Sequence, residues 1–328
     1  MSTGLAISIG VPFGSRSGES GPTVPYLLDT IPMTSTESGV AFSVRRLRSD
    51  YTGYAMRVIR QSDLAEKDIP YLSNGDLDTD AISSFCGTSD GRLTKWYNQA
   101  PQNDPSYVGG DLIQSTSSLR PTIYDGATQS VFTDNGIPTV KFKEQSPNQG
   151  SFMDITTGIA GIFTPTLNNS TISVVSNVIE YEDVNPRLAA WTTNTFNWQM
   201  YAQSANTDLI KIGRKWGNTN RGFGNLRNSE YKSYNHRLLV NTGGFSDYPD
   251  GYWNGTLFPI NSGGPSANSA LQGGRLYLGI GYSTVSYYEG KNTNISEFIF
   301  YWNQDLTSDV VNLNTNTNDY FNIYQCKF

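Results

Sequence analysis

The sequence predicts an all-β sandwich, on three observations. The composition, with 32 glycines among 328 residues, 12% aromatic and only 16% charged residues, is that of short strands joined by many turns. The stretch Gly251–Phe258 sets two apolar arms about the pair Asn254-Gly255, the strongest short hairpin signal a sequence offers. Residues Ile295–Trp302 alternate as a half-buried strand does, behind Tyr277–Gly281, a buried strand with a glycine break. After Trp302 the period changes. Asp305, Thr307, Ser308 and Asp309 stand ahead of Val310 and Val311, so a short helix is expected to start there and run towards Tyr320 and Phe321.

Residues 1–36 are rich in glycine and proline around an apolar patch, Leu5, Ile7 and Ile9, continued by Val11 and Phe13. Such a segment cannot bury a core of its own. It is expected to be an extended arm lying on its own sandwich or, the preferred reading, docking on a partner subunit. Residues 37–328 then form the sandwich. Tyr54–Arg60 alternates at period two and places Met56 and Val58 on one face. Arg45, Arg46 and Arg57 are read with Asp50 and Asp63 as a structural salt-bridge cluster, because a buried arginine left unpaired is strongly destabilising; an anionic-ligand site is the alternative.

Asp76, Asp78 and Asp80 have the alternate spacing that can wrap a calcium ion with oxygen ligands. The glycine and glutamate of a calcium loop are missing, and the simpler reading is that Asp78 or Thr79 caps a short helix over Asp80–Phe85. Ile137–Phe142 reads as a strand led in by Gly136 and Pro138. Residues 143–170 read as a polar loop. Thr171–Ile179, Arg187–Trp191, Phe196–Tyr201, Leu209–Gly213 and His236–Val240 fit successive sandwich strands.

A formal net charge of −6 leaves no basic footprint for nucleic acid. No apolar run is long enough to span a membrane, and the first residues lack the pattern of a signal peptide, so synthesis in a cytoplasm is expected. Two cysteines, Cys86 and Cys326, and one histidine, His236, cannot assemble a zinc site of the usual kind. Reduced buried thiols and a histidine with a structural hydrogen bond are expected, and no cofactor is implied apart from the calcium alternative.

Two parts of the chain resemble known families. Roughly residues 165–324, with the aromatic-Asn-Gly hairpin, the strand with an internal glycine, the Ser296–Tyr301 strand and the last helix, resemble the closing half of a laminin G-like, concanavalin A-like jelly roll. Residues 37–142, with Ala41–Asp63, Asp76–Phe85 and the phrase Trp96-Tyr97-Asn98-Gln99, resemble the opening of the arabinofuranosidase B catalytic-domain family. That family is a concanavalin A-like jelly roll with relatives among bacteriophage virion proteins. Its phrase usually reads Trp-Tyr-Asp-Gln-Ser-Gly. Here Asn98 replaces the aspartate and Ala100-Pro101 replace Ser-Gly, so no role of that aspartate transfers; Trp96 and Tyr97 are read as structural. The resemblance implies a concanavalin A-like jelly-roll β-sandwich with short helices and an extended N-terminal arm.

It also raises retaining glycoside hydrolysis, which needs two carboxyl groups about 5 Å apart. The stretch comparable to the nucleophile's, Ala189–Phe196, contains no carboxylate, and the cysteine pairs of those enzymes are absent. The expectation is therefore a non-enzymatic virion structural protein of a tailed phage or similar virus, a capsid decoration or tail-fibre module displayed on the particle. It would attach to other virion proteins through its arm, within a homo-oligomer or symmetric assembly, and contact host-surface glycans. Aromatics that could stack on sugars are Trp198, Tyr201, Trp216, Tyr252, Trp253, Tyr287 and Tyr288. A glycoside hydrolase or a stand-alone carbohydrate-binding lectin is the alternative.

Overall fold

The structure is a computed structural model describing residues 24–33, 39–101, 110–146, 149–155, 169–178, 187–192, 197–204, 209–216, 219–227, 237–244, 250–258, 275–279, 281–283, 286–288, 293–302 and 304–324. Strands in the first half are β1 Gly39–Ser43, β2 Met56–Arg60, β3 Glu66–Ile69, β4 Gly91–Trp96, β5 Leu112–Ile113, β6 Thr122–Asp125, β7 Ser130–Val131, β8 Thr133–Asp134, β9 Ile137–Pro138, β10 Val140–Phe142, β11 Glu144–Ser146, β12 Gln149–Gly150 and β13 Met153–Ile155. The second half holds β14 Asn169–Val178, β15 Arg187–Thr192, β16 Asn197–Ser204, β17 Leu209–Trp216, β18 Thr219–Arg227, β19 Arg237–Gly244, β20 Asp250–Trp253, β21 Thr256–Phe258, β22 Arg275–Leu278, β23 Gly281–Ser283, β24 Ser286–Tyr288 and β25 Thr293–Trp302. Helices are α1 Leu27–Thr30, α2 Thr79–Cys86 and α3 Val310–Phe321.

The strands form an all-β sandwich of antiparallel pairings. One sheet runs β21–β20–β19–β14–β25, with β1 and β10 end to end along the far edge of β25. The other runs β18–β17–β16–β15–β22–β13–β5–β4–β2–β3. Strand β6 pairs with both β4 and β10 and joins the two sheets along one side.

Between the sheets, Phe42 of β1 meets Trp96 of β4 with ring centroids 6.3 Å apart. Val40, Ile172, Val174, Phe298 and Phe300 from the first sheet and Met56, Val58, Leu93, Met153, Ile155, Leu276 and Leu278 from the second belong to the same buried core. The sequence reads β25 as half-buried. It is buried on both faces from Thr293 to Tyr301, because α1 and α3 cover the outside of the first sheet: the Tyr301 hydroxyl donates to the Ile31 carbonyl at 3.3 Å, and Leu306, Val310, Leu313 and Phe321 join the core.

Local chemistry sets several elements as expected. Asp78 caps α2, its carboxylate accepting from the Ala81 amide at 2.8 Å. Asn254 and Gly255 take φ of 44° and 78°, the left-handed pair that a two-residue hairpin demands, between β20 and β21. The helix after Trp302 forms as α3 and ends with Asn322 in the left-handed region. The polar-loop reading of 143–170 is corrected at β13, whose Met153 and Ile155 are fully buried between β5 and β22. Three residues with an aspartate in the middle are too short a pattern to read as a strand. The arm residues Leu5, Ile7, Ile9, Val11 and Phe13, and His236 and Cys326, lie outside the described residues.

Candidate functional site

The Trp96–Gln99 phrase is a structural clasp. The Trp96 indole is fully buried and donates to the Ser43 carbonyl at 3.3 Å. Asn98 Oδ1 accepts from the Ala41 and Ala100 amides at 2.8 and 3.0 Å. Gln99, also fully buried, accepts from the Leu47 amide and donates to the Arg45 carbonyl and the Tyr71 hydroxyl. These bonds tie the end of β4 to β1 and the segment that follows it, so an amide is sufficient where the related phrase has an acid.

The arginines expected to form one cluster are dispersed. Asp50 pairs with Arg48 at 2.7 Å and Asp63 with Arg60 at 2.6 Å, both on the exposed side; the Arg60 guanidinium holds the Asp63 carboxyl down to about 2. Arg46 bonds the Tyr26 hydroxyl and the Ser73 carbonyl. Arg57 makes a two-pronged bond to Asp68, at 2.7 and 2.8 Å. The Tyr97 hydroxyl adds a 2.6 Å bond to the same carboxylate. Arg45 alone is buried, and its partner is Glu297 of β25 rather than Asp50 or Asp63: those two acids lie on exposed turns, whereas β25 runs beside β1 and brings a carboxylate to the buried position.

Asp76, Asp78 and Asp80 do not converge on a cation. Asp76 accepts from the Tyr320 hydroxyl and the Asn74 amide, and Asp78 caps α2. Among the described residues no group of His, Cys, Asp and Glu is placed to hold a metal ion.

The aromatic candidates separate by strand and by face. Residues directly opposite on neighbouring antiparallel strands share a face of the sheet. Trp191 of β15 is opposite Trp198 of β16, and Trp198 is opposite Trp216 of β17. Leu276 of β22 precedes Trp191 in this row, and Thr219 of β18 follows Trp216. The row thus runs from the fully buried Leu276 through three tryptophans at successive strand spacings of about 4.8 Å to Thr219 of β18.

The next row on the same face runs Leu278, Ala189, Met200, Arg214, Arg221. Tyr201, opposite Gly213, falls on the other face. Tyr252 and Trp253 sit on β20 of the first sheet, where Tyr252 is half-buried against the core. Tyr287 and Tyr288 lie on β24, with Tyr287 opposite Tyr282.

Of the seven aromatics named from the sequence, the fold sets Trp198 and Trp216 at directly opposite register positions and adds Trp191, which the sequence reading left out. Part of the signal was present: Trp191 and Trp198 are equidistant from the centre of the connection between β15 and β16.

Strands β15–β18 contain no Asp or Glu. Among the described residues three carboxylates are buried: Glu297 pairs with Arg45, Asp134 accepts from the side-chain amides of Asn177 and Asn294 at 3.1 and 2.9 Å, and Asp154 lies on β13. Glu180, Glu182, Asp183 and Asp208 lie outside the described residues.

No family model and no curated protein matches the chain. Among solved structures it is similar to an arabinofuranosidase complexed with arabinofuranosyl-α-1,2-xylobiose, with a TM-score of 0.61 and 15% identity over 88% of this chain and 63% of that one. A mutant GH54 α-L-arabinofuranosidase soaked with 4-nitrophenyl α-L-arabinofuranoside gives a TM-score of 0.58, and the GH54 enzyme soaked with a cyclic sulfate inhibitor gives 0.57, with the same identity and the same shares of both chains. The protein therefore spans 63% of the length of the chains it matches.

These likenesses correct the reading as a non-enzymatic virion structural protein. The structures matched over 88% of the chain belong to carbohydrate-active enzymes; of the arm on which the virion reading leaned, the described residues 24–33 pack Leu27, Leu28, Ile31 and Met33 into the core of the chain's own sandwich. The protein shares the β-sandwich fold of the arabinofuranosidases.

Proposed function

We propose that this protein is a carbohydrate-active sandwich that recognises a glycan on the row Trp191–Trp198–Trp216. The carrying observation is the register that sets three tryptophans opposite one another on β15, β16 and β17. Indole faces stack on the apolar faces of sugar rings, and their N–H groups bond hydroxyls. A row at one tryptophan per strand offers successive rings to successive sugars of an extended chain crossing the strands. The row lies on strands of a rigid sheet, starting at Leu276 of β22 and continuing strand by strand to Thr219 of β18.

A second reading is glycoside hydrolysis, favoured by the arabinofuranosidase likeness over 88% of the chain. Its two carboxyl groups would come from connections flanking or joining β15–β18, where Glu180, Glu182, Asp183, Asp208 and Glu230 stand in the sequence.

Affinity electrophoresis of the full chain in gels of arabinoxylan, polygalacturonate and dextran sulfate tests recognition, and release of 4-nitrophenol from 4-nitrophenyl α-L-arabinofuranoside tests hydrolysis. The expected result is retardation by at least one polysaccharide, weakened about tenfold or more by Trp198→Ala or Trp216→Ala, as for a central aromatic anchor. Retardation by none of them, or equal retardation of both variants, overturns the proposal.

A further inference from the structure

We propose that the chain joins Lys141 to Asn294 by an isopeptide bond between Lys141 Nζ and Asn294 Cγ, with Asp134 carrying the proton. This modification site is independent of the glycan reading. The two residues are directly opposite on the antiparallel strands β10 and β25, where facing Cβ atoms are about 4.5–5.5 Å apart. Val140 and Phe142, on either side of Lys141, are fully buried in the core between the sheets. Lys141 and Asn294 therefore meet on the outer face of the first sheet.

Three further residues complete the site. Asp134 ends β8 at the β8–β9 turn and is 9% exposed, and its Oδ2 accepts from Asn294 Nδ2 at 2.9 Å. Asn177, opposite Asn294 on β14, donates to Asp134 Oδ1 at 3.1 Å and so holds the carboxylate by its other oxygen. Asn294 itself is 6% exposed, and its Oδ1 has no hydrogen-bond partner. Lys141 Nζ stands 5.1 Å from the centre of the Phe132 ring, two residues before Asp134. The flexible four-carbon stem of the lysine lets Nζ swing from that ring to Asn294 Cγ across the cross-strand gap. A buried amide, an amine on the facing strand and a carboxylate already bonded to the amide are the parts that acyl transfer to a lysine needs.

The step balances without oxidant or cofactor. Asp134 takes a proton from the Lys141 ammonium and leaves an amine with a free electron pair. The Asn294 amide turns about its last torsion, exchanging the bond from Nδ2 for one from the new Asp134 O–H to Oδ1, which polarises Cγ. Nζ attacks, the Nζ–Cγ bond forms and the Cγ–Nδ2 bond breaks. Nζ keeps one hydrogen as an amide N–H, its other hydrogen passes to Nδ2, and Nδ2 leaves as ammonia. The proton held by Asp134 follows it, so the charge of the lysine departs as ammonium. Fixing both reactants on adjacent strands supplies the proximity that an amide otherwise lacks towards an amine. The product closes every strand from β11 to β24 into one covalent loop, restricting the unfolded chain as a disulfide does.

Intact mass spectrometry and tryptic mapping of the purified full chain test this. The wild type is expected to be lighter than its sequence by one ammonia, to yield a branched peptide joining the segment of Lys141 to that of Asn294, and to run ahead of K141R in a denaturing gel under reducing conditions. K141R, N294A and D134N should each keep the full mass of their own sequence, whereas K143R should still lose ammonia. Full mass in the wild type, with both segments found only as linear peptides, overturns the proposal. A branched peptide at Lys143 overturns it too. Loss of ammonia without any branched peptide marks a cyclic imide at an Asn-Gly turn such as Asn135-Gly136 and likewise overturns it. A cross-link that forms equally in D134N overturns the role given to Asp134. Should a variant fail to fold, the wild-type mass and peptide map decide alone.

Discussion

Arg45 and Glu297, 252 positions apart in the chain, form a buried two-pronged ion pair at the junction of β1, β25 and α3. Arg45 Nε donates to Glu297 Oε2 at 2.8 Å and Nη2 to Oε1 at 3.1 Å, with 3% and 0% of the two side chains exposed. Desolvating two charges is costly, and the pair persists because the remaining groups are bonded as well. Ser43 Oγ donates to Glu297 Oε2, Arg45 Nη1 donates to Asn316 Oδ1, and the guanidinium lies over the rings of Tyr320 and Phe321 at 4.9 and 5.3 Å. A bulge places Ser296 outside the β14–β25 ladder, with Val175 opposite Glu297 and Ser176 opposite Ile295, and the Ser296 carbonyl takes the Val44 amide at 3.0 Å.

Removing one partner strands the other charge. Glu297→Ala or Arg45→Ala is expected to lower unfolding free energy by about 3–5 kcal/mol. The double variant R45M/E297L should recover a large part of that loss. Guanidinium unfolding monitored by tryptophan fluorescence reads it; additive losses in the double variant would show that the pair does not act as a unit.

Gly279, just after β22 of the second sheet, packs against the ring of Phe142 of β10. Its φ is +85°, and a Cβ there would fall 2.1 Å from the Phe142 ring. Gly279→Ala therefore combines a left-handed backbone with overpacking, an expected loss of about 2–5 kcal/mol. In the background of Phe142→Leu the same change should cost less, and thermal unfolding of the four proteins gives the coupling. Equal cost in both backgrounds refutes the contact.

What the sequence made legible was local. The Asn254-Gly255 turn and the Asp78 cap each depend on residues within a few positions of each other, so their chemistry is written in the chain. Glu297 could be seen as part of a strand but not as Arg45's partner, since only the pairing of β1 with β25 brings them together. Full burial of β25 was illegible for the same reason: its outer face is covered by α3, whose own pattern carries Asn314, Asn316, Thr317 and Asn318 on buried positions and so does not read as a core helix. The tryptophan row lies between these cases. Each strand was legible singly, but a row needs register, and register becomes visible only when hairpin connections are counted from both sides.

Acid should weaken the outer edge of the second sheet through Asp68. The Arg57 guanidinium, assisted by the Tyr97 hydroxyl and opposed by burial, holds the Asp68 carboxyl below its ordinary value. A carboxylate so lowered stabilises fully above its unfolded value, about pH 3.9, and loses that contribution as pH falls through the lower folded value. Asp68→Asn is expected to be less stable than the wild type at pH 7, with the difference narrowing below about pH 4. Urea midpoints measured from pH 7 to pH 2 show it; a constant difference across that range contradicts the assignment.

Cys86 is a buried thiol at the end of α2. Burial pushes it up to about 11, against the lowering effect of Arg60. Packing around it is close, since a Cβ on Gly91 would come within 2.7 Å of its Sγ. At pH 8 a thiol near 11 is about 200-fold less ionised than one at the ordinary 8.5, and the thiolate is the reacting form. In a Cys326→Ser variant, which leaves one thiol, Ellman's reagent should react at least about 200-fold more slowly with native protein than with protein unfolded in guanidinium, because inaccessibility adds to the shortage of thiolate. Labelling of the native variant at the unfolded rate would place Cys86 at the surface and contradict the packing of α2 against β2 and β6.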